Sequence, residues 1–142
     1  MKLVLDASVA LKWFFQTAGD EGHSEQALAV LEGIGSGQFK VIQPPHFLTE
    51  VAAVLARKKP NDAQADLIDL QQLEWEVLDN PLAYETAIRL SIKLGHHLFD
   101  TLYHATALTV PDALLVTADE SYYRKAREHG QVSLLWEFEG QG

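Results

Sequence analysis

Leu3-Val4-Leu5-Asp6-Ala7-Ser8 decides the fold. Three apolar residues run into a carboxylate, and the chain behind it favours a helix. An apolar run without alternation reads as a strand buried on both faces, as in a parallel sheet. Open α/β sheets place their sites outside the carboxyl ends of their strands. An acid there is the first candidate for chemistry. Glu50, Asp100 and Asp119 follow at wide spacing. Together the four acids are read as a centre for a divalent metal serving phosphodiester hydrolysis.

Outward from Lys2–Leu5, helices and short apolar strands take turns. A helix is expected over Val9–Phe15, then a polar break over Thr17–Gly22. Ser24 can cap a second helix to about Glu32, stopped by Gly33-Ile34-Gly35-Ser36-Gly37. A strand over Phe39–Ile42 ends at Pro44-Pro45. From about His46 to Lys58, Phe47, Val51, Val54 and Leu55 recur at helical spacing, with Glu50 just off their stripe. A fourth helix runs from an Asn61 cap to about Leu73, and a strand covers Trp75–Leu78. Asn80-Pro81 is a cap followed by proline at the first helical position, opening a helix that Gly95 closes. Phe99–Leu108 is helical with Asp100 in its first turn. Ala113–Val116 is a strand, and Thr117-Ala118-Asp119 leads into a helix to about Glu128. Val132–Leu135 is a last strand and Glu137–Gly142 a tail. Strands separated by helical crossovers imply an α/β fold, with a parallel sheet of four to five strands covered on both faces. The most apolar strands, Leu3–Leu5 and Leu114–Val116, belong at its centre.

Bulk properties narrow the classes. A chain of 142 residues with 47% hydrophobic content is one domain with a real core. It has no cysteine, which removes disulfides and thiolate zinc sites. No apolar run approaches the ~20 residues of a membrane span, and the N-terminus lacks a signal-peptide pattern. The expectation is a cytoplasmic protein. Twenty acids against eleven bases give a charge of −9. That argues against a general nucleic-acid coat protein, yet allows a nuclease whose acids are neutralised locally by metal, and it favours a basic partner.

Magnesium and manganese prefer oxygen ligands in octahedral geometry and keep several waters. Such a centre acidifies a bound water and clamps the phosphate being cleaved. Each acid also has a plainer reading. Asp6 and Asp119 can cap the helices behind them. Glu50 can be a solvated acid on a helix margin. Asp100 is favoured near a helix N-terminus. Ser8 can bond Asp6 or serve a turn, and Thr117 can orient Asp119 or simply end a strand. His46 and Glu50 lie four apart, as do Asp100 and His104, and His96-His97 stands nearby. Without an HExxH-type pattern, these histidines read as surface or supporting groups before ligands. Lys12, Arg57, Lys58 and Arg124 are candidates for gripping RNA phosphates.

Asp6-Ala7-Ser8-Val9-Ala10-Leu11-Lys12-Trp13-Phe14, Thr49-Glu50-Val51, Phe99-Asp100-Thr101-Leu102-Tyr103 and Val116-Thr117-Ala118-Asp119 resemble the PIN-domain nucleases. Most closely they look like the VapC toxins of VapBC toxin–antitoxin modules. The resemblance covers nearly the whole chain, with residues 1–136 as the PIN domain and 137–142 as the tail. It implies a three-layer α/β/α sandwich, a homodimer, and a Mg2+- or Mn2+-dependent endoribonuclease acting on structured RNA such as tRNA or rRNA. It implies that Asp6, Glu50, Asp100 and Asp119 are the catalytic, metal-holding quartet, supported by Ser8 and Thr117. It further implies a VapB-type antitoxin that neutralises the toxin and carries the contacts to operator DNA. His104 departs from the family, which more often has an apolar residue there. Two rival readings stand beside this one. A phosphoaspartate phosphatase or receiver domain would also place an acid at the end of strand one. However, position 8 is serine rather than a second aspartate, and Trp136 follows the last strand where a receiver wants lysine. The other rival is a non-catalytic RNA- or protein-binding module on the same scaffold.

Overall fold

The structure is a computed structural model describing residues 1–15 and 22–140. All but Gly22 of the expected polar break at 17–22 lies outside the described residues. Five parallel strands form one sheet: β1 (Lys2–Leu5), β2 (Lys40–Gln43), β3 (Glu76–Val77), β4 (Ala113–Thr117) and β5 (Val132–Leu134). Their spatial order is β3-β2-β1-β4-β5. The helices are α1 (Ala7–Leu11), α2 (Ser24–Gly35), α3 (Phe47–Lys58), α4 (Ala63–Leu70), α5 (Pro81–Leu94), α6 (Leu98–Thr109) and α7 (Glu120–Ala126). Among the described residues, no helix is long and apolar enough to cross a membrane.

The order places β1 and β4 side by side, with Lys2–Leu5 in register with Ala113–Val116. The chain winds outward from β1 through β2 and β3, then crosses back to β4 on the other side. The β1–β4 boundary is therefore the switch point of a doubly wound sheet, where a crevice opens at the strand ends. Side chains alternate across the sheet. Val4 and Leu115 face a core built with Phe47, Val51 and Leu55 of α3, Leu70 of α4 and Tyr103 of α6. Leu3, Leu5 and Val116 face the opposite core with Ala27 and Val30 of α2 and Leu135. This makes the three-layer α/β/α arrangement.

Several element limits differ from the sequence expectation. α1 stops at Leu11, and Lys12, Trp13 and Phe14 close tighter turns onto Val9, Ala10 and Leu11. Trp13 is drawn away by donating Nε1–H to the Ala27 carbonyl at 2.8 Å. His23, at φ 69°, precedes α2, and Ser24 lies inside the helix. That helix runs on through Gly33, where the missing Cβ lets the Phe39 ring lie against it; an added Cβ would collide with the ring. α4 spans only Ala63–Leu70, with Asp62 rather than Asn61 preceding it. β3 has shrunk to two exposed residues because it is the sheet edge and pairs only with Ile42 and Gln43. The Asn80 cap is realised, accepting from Leu82 N–H at 2.9 Å. Phe138 packs against Phe39, and Gln38 Nε2 donates to the Gly140 carbonyl at 2.7 Å.

Candidate metal centre

Asp6 leaves β1 at the switch point and begins α1, but its carboxylate caps nothing. Oδ2 instead accepts from Ser8 Oγ at 2.9 Å and Thr117 Oγ1 at 2.7 Å. Both hydroxyls also accept: Ser8 from Ala118 N–H at 3.1 Å, Thr117 from Asp119 N–H at 3.0 Å. The pair thus cross-braces the end of β1 to the β4–α7 turn. Burial pushes the Asp6 pKa up to about 6; the negative charges of Asp100 and Glu50 push the same way, while the two hydroxyls oppose them.

Asp119 is the helix cap of α7, with Oδ1 accepting from Tyr122 N–H at 3.0 Å. Capping and a place in the centre coexist, since one oxygen suffices for the cap. Asp100 accepts at Oδ2 from His96 Nε2–H at 2.8 Å. The other His96 nitrogen, Nδ1, accepts from Lys125 Nζ at 3.2 Å. Glu50 accepts at Oε1 from the buried Tyr103 hydroxyl at 2.6 Å. Its pKa is raised by burial, with Asp100 adding to the rise and the Tyr103 bond opposing it. Burial beside Glu50, Asp6 and Asp100 drives the Tyr103 phenol strongly upward, so that hydroxyl stays a donor. Tyr122 is pushed up by burial and by Asp100, Asp6 and Asp119. The four acids therefore share one electrostatic neighbourhood, although they come from β1, α3, α6 and the β4–α7 turn.

The donor set fits a divalent cation. Asp100, Asp119 and His96 each offer an atom within 4.8 Å of the others. The carboxylate oxygens alone suit magnesium or manganese, and an added imidazole shifts the set toward first-row transition ions.

Sequence reasoning gave Tyr103, Gln43 and Tyr122 no role of their own and read His96 only as a surface or supporting group ahead of a ligand. Tyr103 lies three residues beyond Asp100, on the same face of α6, so its contact with Glu50 was open to a helical-spacing argument. His96 is four residues before Asp100, a spacing weighed for His104 instead. Gln43 gave only the signal of an amide ending an apolar strand. It is fully buried and clamps Leu5 at both backbone groups, accepting from its N–H and donating to its carbonyl, each at 2.9 Å. Tyr122 is held by His104: Nε2 faces the Gly130 carbonyl at 2.8 Å, so Nδ1 accepts from the Tyr122 hydroxyl at 2.8 Å. His104 is thus a buried anchor for α7. His46 donates Nε2–H to the Phe99 carbonyl at 2.7 Å, tying the start of α3 to α6, and burial lowers its pKa against the opposing pull of that bond and of Asp6 and Asp100.

The cations divide. Lys12 and Lys58 line a cleft of about 360 Å3 with Ser8, Phe15, Val54 and Ala118; none of the four acids lines it, but Ser8 is bonded to Asp6. Lys12 also donates to the Gly22 carbonyl at 3.2 Å. Arg57 is exposed and outside that lining. Arg124 is paired with Glu120 at 2.9 Å on the surface. A larger concavity of about 730 Å3, beside Trp75 and Phe39 at the β2–β3 edge, holds none of the four acids.

The PIN domain family model matches residues 3–128. The chain belongs to the PIN domain family. A PIN domain is generally a nuclease fold, usually a metal-dependent one. PAE2754 from Pyrobaculum aerophilum has a similar crystal structure, with a TM-score of 0.64 over 96% of this chain and 90% of that one. At 17% identity, that similarity speaks for the fold alone. No curated protein matches the sequence.

Proposed function

We propose that this PIN domain is a metal-dependent endoribonuclease toxin of the VapC kind, cleaving structured RNA such as tRNA or rRNA. What supports this reading is that Asp6, Glu50 and Asp100, from β1, α3 and α6, feel one another's charge, while Asp119 has a carboxylate oxygen within 4.8 Å of donor atoms of Asp100 and His96. Like charges so placed are costly: two carboxylates ~4 Å apart repel by about 4 kcal/mol at an effective dielectric of 20. A bound cation relieves that cost. Asp6, Asp100 and Asp119 would hold it, and it would supply acidification of a water and neutralisation of phosphate charge.

The rest is done by the chain's own residues. Ser8 and Thr117 fix the Asp6 carboxylate, and His96 fixes that of Asp100. Tyr103 holds one oxygen of Glu50 and leaves the other to orient the attacking water and accept its proton. The raised pKa of Glu50 suits a proton acceptor. The water oxygen attacks phosphorus in line, the bond to the 3′ oxygen breaks, and a 3′-hydroxyl and 5′-phosphate remain. Exposed Lys58, along the adjoining cleft, supplies phosphate contacts, and the buried Lys12 adds positive charge to its wall. We further infer a homodimer and a basic VapB-type antitoxin, drawn by the −9 charge and carrying any operator-DNA contacts.

The test is cleavage of tRNA and rRNA by the purified chain with manganese, mapping the 5′ ends. Asp6→Asn is expected to abolish cleavage and leave the circular dichroism unchanged. A fully active Asp6→Asn protein would falsify the assignment.

A further inference from the structure

We propose that His96 is itself a metal ligand, making the Asp100–Asp119 side of the centre a mixed nitrogen–oxygen site that prefers manganese to magnesium. This rests on the metal-centre reading above and adds a donor outside the acidic quartet. Donor atoms of His96, Asp100 and Asp119 already lie within 4.8 Å of one another. Ligands at about 2.1 Å from one ion stand about 3 Å apart when adjacent and about 4.2 Å when opposite. Shifts of no more than about 2 Å therefore close the site.

The imidazole is built into place. Gly95, at φ +59°, ends α5 in the left-handed conformation and turns the chain at His96. Ser91 then pins the His96 backbone twice: its carbonyl accepts from His96 N–H at 3.2 Å, and its hydroxyl donates to the His96 carbonyl at 2.5 Å. The ring lies edge-on to Tyr122, 4.9 Å between centroids, and Tyr122 is anchored in turn by His104. Only 11% of the His96 side chain is exposed. Nε2 points at the Asp100 carboxylate. On metal binding the ring proton sits on Nδ1 instead of Nε2, and the exposed Lys125 ammonium turns to solvent.

Imidazole nitrogen distinguishes the cations. Both ions take oxygen ligands, but magnesium is the harder cation and holds to oxygen and water, so one imidazole nitrogen favours manganese, a transition ion, relative to magnesium. Free-ion manganese resonance on the full chain gives the affinity, and magnesium competition gives the preference. Electron spin echo modulation reads nitrogen-14 bound to Mn2+. The wild type is expected to show imidazole nitrogen modulation. His96→Ala is expected to lose it and to bind manganese at least about tenfold more weakly, the low end of losing even an outer partner, with a smaller loss of magnesium affinity. His96→Gln keeps an amide donor for Asp100 without an imidazole, so it too should lose the manganese preference; its melting curve reports the fold. Manganese bound without nitrogen modulation, modulation that persists in His96→Ala, or a manganese preference restored by His96→Gln would overturn the ligand role and leave the nuclease reading standing. Absence of manganese binding in the wild type would sink both.

Discussion

At the residue scale, the centre depends on polar groups that keep each carboxylate in one orientation. Tyr103→Phe removes the 2.6 Å bond to Glu50 and little else. A fall in kcat of about tenfold, ~1.4 kcal/mol, is expected, with stability changed by no more than about 1 kcal/mol; steady-state cleavage and thermal melts check both. Asp6 makes the metal-free protein sensitive to pH. Unfolded, it ionises near its ordinary 3.8; folded, near about 6. Between those values the native state holds more protons than the unfolded state, so stability falls as pH rises. The stabilisation of the protonated form is complete below about 4 and is lost as pH passes about 6, up to ~3 kcal/mol from a shift of about two units. Asp6→Asn should flatten this part of the stability–pH curve, measured by urea unfolding in chelator. A wild-type curve that rises across the window would contradict the assigned environment. The acids were legible in the sequence: Asp6 and Asp119 stand out at strand ends, Asp100 in a first helical turn and Glu50 at the edge of an apolar stripe. Their partners were less so: Ser8 is two residues from Asp6, but Thr117 is 111 residues away, and only tertiary pairing shows that both hydroxyls reach one oxygen.

At the element scale, β1 and β4 were readable from their apolar runs, and α5 from Asn80-Pro81 and Gly95. Elements under weaker local control were not bounded. β3 depends on a single neighbouring strand, and α1 gives way where Trp13 seeks Ala27. Gln43 illustrates what periodicity misses, since its amide replaces strand pairing where β1 and β2 diverge. Gln43→Leu would leave Leu5 N–H and C=O without partners, costing about 2–4 kcal/mol. A drop in melting temperature of ~10 °C is expected for a chain of this size. A loss of under 2 °C would show that the clamp is dispensable.

At the scale of the whole molecule, the doubly wound order brings residues 6 and 119 to one crevice, and helices from both crossovers add Glu50 and Asp100. Ile88 and Ile92, one turn apart on α5, are 50% and 79% exposed. Such an apolar stripe supports the inferred homodimer; sedimentation equilibrium is expected to give twice the 15.8 kDa chain mass, and Ile92→Lys to shift it to monomer. The acids themselves make the sharpest demand. Crystals soaked in manganese and measured at its absorption edge should show an anomalous peak at the end of β1, with Asp6, Asp100 and Asp119 oxygens about 2.2 Å away. A crevice without a peak, its four carboxylates turned apart, would contradict the metal centre.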